Sequence, residues 1–115
     1  MRFVLLFLCL PLMAHAAEFR VLPDDEPLSQ AEVSEITERH LIEFFEGGQA
    51  RYSAGGSYSY TYESGATAYG RFEVGPDGVV CILFRNGRDR CDMFVRSHGR
   101  LVMVTQSGDR FPIRP

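Results

Sequence analysis

The sequence has no lysine and no tryptophan, and it carries only three histidines and three cysteines in 115 residues. All twelve of its basic residues are arginine, a usage to which no functional weight attaches. The shortage of histidine bears directly on metal chemistry. Outside the first residues only His40 and His98 remain, one at the end of a predicted helix and one in a hairpin loop, so no metal site is expected. No G-x-S-x-G elbow occurs, and the adjacent Ser97 and His98 do not by their adjacency supply the convergent geometry of a triad. The glycines punctuate hairpins and do not form phosphate loops or dinucleotide fingerprints. No catalytic residue and no cofactor is therefore expected, and the chain reads as a non-enzyme.

Long apolar runs are also lacking, apart from "FVLLFLCLPLM" after Arg2, which is too short for the roughly twenty residues of a membrane span. That run, its single flanking charge and the small-residue box "AHA" form a secretory signal peptide over residues 1–16, with cleavage expected after Ala16 and Cys9 removed with it. The expected product is soluble and periplasmic or secreted. In that oxidising setting Cys81 and Cys91 are expected to form a disulfide.

Charge is unevenly distributed. Residues 17–46 hold nine acids and two arginines, a balance of −7, whereas residues 78–115 hold three acids and seven arginines, a balance of +4. The two ends attract each other. Residues 17–28 read as an extended acidic arm in which Asp24, Asp25 and Glu26 are solvated. Residues 29–115 read as one domain. Ser29 and Glu32 make a capping box, with Leu28 and Val33 as its hydrophobic staple, opening a short helix over 30–39.

From Leu41 the periodicity changes to two, and glycine-closed turns recur, predicting strands at 41–46, 56–62, 66–74, 79–84, 88–96, 100–105 and 109–113. Glu63-Ser64-Gly65, Arg85-Asn86-Gly87, Ser97-His98-Gly99 and Gln106-Ser107-Gly108 each read as a three-residue hairpin loop closed by a left-handed glycine. Gly75-Pro76-Asp77-Gly78 reads as a four-residue loop. The fold class is thus mainly β: a small antiparallel meander, a curved sheet or small barrel of six to seven strands, with one short N-terminal α-helix packed on it. The register sets Cys81 opposite Cys91, as a cross-strand disulfide requires. It also sets Tyr62, Tyr60 and Tyr58 opposite Ala66, Ala68 and Gly70, which makes the tyrosine ladder chiefly scaffold and only secondarily a ligand lining.

The same register assigns Val79, Cys81, Leu83, Cys91, Met93 and Val95 to the core. It leaves Val80, Ile82, Phe84, Phe94, Val102 and Val104 outside among Arg90, Arg96 and Arg100. An apolar patch ringed by arginine needs a cover. Either the 30–39 helix lies on it, or Ile82, Phe84, Arg90, Phe94, Arg96, Arg100 and Val102 form an interaction surface for a partner. Nucleic acid is an unsuitable partner for an acidic exported chain with few cations near its tyrosines.

With its leader, its capped helix and the segment "GVVCILFRNGRDRCDMFVRSHGRLVMVTQSGDRFPIRP", the chain resembles short exported β-meander proteins of Gram-negative bacteria, domains of unknown function. The resemblance implies a periplasmic address and carries no activity. A non-enzymatic periplasmic binding or protein-interaction module is the function expected. It would be a monomer whose partner is a periplasmic or envelope protein. The alternative is a disulfide-stapled β-barrel inhibitor of a hydrolase, lysozyme or a protease. "ARYS" at residues 50–53 is similar to part of the Ser-Gly-Ala-Arg-Tyr motif of one lysozyme-inhibitor family, but Gly48-Gln49 stands in place of Ser-Gly, so that site is not carried over.

Overall fold

A computed structural model describes residues 19–115. The expected signal segment 1–16, with Cys9, lies outside the described residues. Among the described residues there are nine strands and one helix: β1 (Asp25–Pro27), α1 (Gln30–Thr37), β2 (Leu41–Glu43), β3 (Gln49–Tyr52), β4 (Ser57–Thr61), β5 (Thr67–Val74), β6 (Val80–Phe84), β7 (Asp89–Ser97), β8 (Arg100–Thr105) and β9 (Arg110–Pro112). Strands β2 to β9 follow one another as antiparallel neighbours in chain order, and the sheet curls into a half-barrel. Its two ends meet at a single bridge between Phe44 and Ile113. There the Phe45 N–H donates to the Pro112 carbonyl at 3.1 Å and the Arg114 N–H to the Glu43 carbonyl at 2.7 Å. No helix among the described residues is long and apolar enough to cross a membrane.

The helix starts where its sequence dictates. The Ser29 hydroxyl accepts from the Glu32 N–H at 3.2 Å, and the Glu32 carboxylate accepts from the Ser29 N–H at 2.9 Å, closing the capping box. It stops at Thr37, two residues before the expected end, and His40 then takes a left-handed φ of 71° that turns the chain into β2. Val33 and Ile36 are buried in the core cluster that also holds Val80, Ile82 and Phe94. The helix packs chiefly beside β2 and β5, and the expected outer apolar patch that it was to cover is not formed, because Val80, Ile82, Phe84 and Phe94 face the core itself.

Within the arm Asp25–Pro27 form a strand; Asp24 and Glu26 are exposed as expected, and Asp25 is not. β1 pairs with the second half of β7, Asp25 opposite Ser97 and Pro27 opposite Val95. The Asp25 carboxylate is fully buried and takes a bidentate pair from Arg110 at 2.9 and 3.0 Å. Pro27 sits on a strand edge, where its missing N–H costs nothing.

The hairpin registers at Glu63-Ser64-Gly65, Arg85-Asn86-Gly87 and Gln106-Ser107-Gly108 are those expected from the turn chemistry. Tyr60 faces Ala68, Tyr58 faces Gly70, Cys81 faces Cys91 and Met103 faces Phe111. The Cys81–Cys91 disulfide is formed. A methyl group on Gly70 would lie 2.5 Å from the Leu83 carbonyl oxygen, so the glycine is fixed by the close approach of β6 as well as by the tyrosine ring across from it.

Two loops differ from expectation. Gly75 pairs with Val79, making Pro76-Asp77-Gly78 a three-residue loop like the others, with Gly78 at φ 84°. Ser97 pairs with Arg100, so the connection is the two-residue turn His98-Gly99 with both residues left-handed, at φ 51° and 81°. Each change shifts the register by one and reverses the faces. Between them lies the β6–β7 hairpin, which is inverted as a unit. Val80, Ile82, Phe84 and Phe94 point to the core, and Cys81, Leu83, Cys91, Met93 and Val95 point out. Beyond the second turn β8 and β9 return to the expected faces.

Candidate functional site

The residues proposed from sequence as one interaction surface are dispersed by this inversion. Ile82 and Phe94 are each 1% exposed. Phe84 and Arg90 lie beside Tyr58 on the inner face. Arg96 reaches Glu32 of the helix at 3.7 Å. Val102 is on the opposite face, in a small cluster with Val79, Val95 and Val104 that is covered by Phe19. Arg100 alone remains exposed on an open surface. The tyrosines also separate: Tyr58 and Tyr60 are buried, and Tyr62 is 48% exposed.

The inner face brings together a polar group within an aromatic core. Arg90 Nε and Nη2 donate to the two Asp92 carboxylate oxygens at 2.9 Å each, and Nη2 also donates to the Tyr58 hydroxyl at 3.0 Å. Residues i and i+2 of a strand share a face, which is why β7 supplies both ions of the pair. The Arg90 guanidinium lies 5.6 Å from the Phe84 ring centre and 5.9 Å from that of Tyr60. Tyr60 donates to Glu46 at 2.7 Å, but the buried Tyr52 hydroxyl has no partner. Burial pushes the Tyr58 phenol up to about 12. It raises Tyr52 and Tyr60 as well, Tyr60 with help from its bond to Glu46. Burial also raises the Asp92 carboxyl against the pull of Arg90. Arg90, Asp92, Tyr58 and Tyr60 are each committed to a neighbour, so this network organises the core and presents no open reactive group.

An open site lined by cations lies at the seam where the sheet ends meet. A cleft of about 530 Å³ is bordered by Arg39, Arg100 and Arg114, with Phe45, Leu101 and Ile113 as its apolar wall. Arg39 follows α1, Arg100 opens β8 and Arg114 follows β9. The β8–β9 pairing sets Arg100 near Arg114, and the bridge between Phe44 and Ile113 brings the segment of Arg39 and Phe45 up to them. Arg114 stacks on Phe45, its guanidinium carbon 4.8 Å from the ring centre. Among the described residues no carboxylate lies within ion-pairing distance of Arg39, Arg100 or Arg114. Arg100 was singled out from sequence. Arg39 and Phe45 were not, because they reach Arg100 and Arg114 only through curling of the sheet, and Arg114, although set near Arg100 by the β8–β9 hairpin, carried no local signal of a site.

No family model, no curated protein and no solved structure matches this chain.

Proposed function

We propose that the protein is a non-enzymatic binding module of the exported compartment and that it holds an anionic ligand in the cleft bordered by Arg39, Arg100 and Arg114. The observation that carries this reading is the gathering of three arginines without carboxylate partners around an apolar cleft, in a chain whose net charge is −3. Like charges brought together without counter-charges repel one another, and a bound anion relieves that repulsion while accepting their N–H donors. The cleft volume falls in the range of small-molecule sites, and an apolar wall with a few convergent polar groups is their usual make-up. The signal segment and the disulfide support the exported address.

Titration of the isotopically labelled protein with phosphate and carboxylate compounds, followed by NMR, tests the proposal. Shifts are expected at Arg39, Arg100, Arg114 and Phe45, weakening as salt rises. They are expected to vanish in the triple variant Arg39→Gln/Arg100→Gln/Arg114→Gln, which changes only exposed side chains. Equal binding by wild type and the triple variant, or shifts confined to other surfaces, would overturn it.

A further inference from the structure

We infer that the ligand of this cleft is a single-chain amphiphile, a carboxylate or phosphate monoester carrying an apolar tail, and not a free inorganic anion; this rests on the anion-binding reading above. A cleft of about 530 Å³ far exceeds a bare phosphate ion, and its wall is built from Phe45, Leu101 and Ile113. Phe45 is 47% exposed, whereas every other described phenylalanine is buried or half-buried. Its neighbour Phe44 points into the core at 1% exposed, so strand alternation at the end of β2 turns one ring inward and the next into the cleft.

The stacking of Arg114 joins the two halves of the site. With its carbon over the Phe45 ring and no side-chain hydrogen-bond partner among the described residues, the guanidinium has N–H groups to offer a carboxylate or phosphate. A ligand head bonded there would have its adjoining carbon chain beside Phe45, Leu101 and Ile113. A polyanion without a tail would leave that wall in water, and a neutral hydrocarbon would leave the arginines unpaired. Only a molecule with one acidic end and one apolar end uses both.

The test compares inorganic phosphate with a series of n-alkyl phosphates from ethyl to octyl, each below its micellar concentration, by calorimetry and NMR on the full chain. Affinity is expected to rise about two- to fourfold per methylene until the wall is covered, the upper limit being the factor for complete burial of a CH₂. In Phe45→Ala, a substitution at an exposed position, this dependence on chain length should flatten, with a smaller fall in inorganic phosphate binding because Arg114 loses the ring beneath it. Inorganic phosphate binding as tightly as octyl phosphate, with loss in the triple arginine variant, would sink the amphiphile and leave the anion site standing. Octyl phosphate binding that survives in the triple variant would sink both.

Discussion

Two ion pairs are buried in this molecule, one on each face of the sheet. Arg90 and Asp92 lie two residues apart on one strand, against the aromatic core. Asp25 and Arg110 come from opposite ends of the chain and meet on the outer side, where Arg110 keeps 27% of its side chain exposed. The first pair sits on a strand whose position is already fixed by pairing with β6 and β8, and it serves to neutralise charge within the core. The second pair fastens a short strand that β7 alone holds by backbone bonds, and so it does the work of attachment. Burial of charge thus has different consequences at the two places: each ion of the inner pair requires the other within the core, and the outer pair is a clasp.

Removing the inner acid should have the largest effect. Asp92→Ala leaves the Arg90 guanidinium without its counter-charge beside Phe84 and Tyr60, and a broken buried pair costs about 3–5 kcal/mol. Urea unfolding should show a loss near the lower end of that range, because 26% of the Arg90 side chain still reaches solvent. The double variant Arg90→Met/Asp92→Leu should recover most of it, since an apolar pair of similar volume is often neutral. If the double variant were no more stable than the single one, the cost would lie in packing and not in charge.

Asp25→Ala should cost less, about 2 kcal/mol, because the released Arg110 is not held against aromatic rings as Arg90 is and only β1 is loosened. Hydrogen exchange at the Leu28 amide, which donates to the Phe94 carbonyl at 3.0 Å, should accelerate while the β4–β5 amides stay protected. The pair has a pH signature as well. The hydrogen bonds and charge of Arg110 hold the Asp25 carboxyl below its ordinary value of 3.8. The ionised form is favoured by folding, so its contribution is complete above that value and is lost as pH falls below it. The difference between wild type and Asp25→Ala should therefore shrink below pH 3.8, and a difference that stayed constant would assign the loss to packing.

The same two regions differ in how far the sequence discloses them. The β4–β5 hairpin is legible because one side alternates Ser57, Ser59 and Thr61 against Tyr58 and Tyr60, so a shift of one residue would bury the polar set. In β6 the run Val80-Cys81-Ile82-Leu83-Phe84 is apolar on both faces, and alternation gives no sign of an error. Register there depends wholly on the loops, and two of these are one residue shorter than their glycine spacing suggests. Asp77 and Gly78 also close a three-residue loop, and His98 adopts a positive φ, uncommon outside glycine although histidine tolerates it better than most residues. The capping box, the disulfide pairing and the tyrosine register follow from local chemistry and were legible. The cleft of Arg39, Arg100 and Arg114 was not, since it arises from contact between the two ends of the sheet. Nor was β1, whose strand pairing is made by backbone groups that its Pro-rich acidic sequence does not advertise.

The smallest effect is expected where the inner network is incomplete. The Tyr52 hydroxyl is buried among Tyr58, Arg90 and Asp92 and has no hydrogen-bond partner, so the fold bears the cost of its desolvation without return. Tyr52→Phe keeps the edge-to-face contacts of the ring with Tyr58 and Phe72, at 5.2 and 5.0 Å between centres, and removes only the oxygen. Stability should stay level or rise by up to about 1 kcal/mol. A loss of that size instead would mean that the hydroxyl bonds to a buried water bridging it to the Arg90–Asp92 pair, since such a water satisfies groups that are otherwise unpaired and is costly to remove. The inner pair would then extend one step further than its direct contacts, and the contrast with the outer clasp would sharpen.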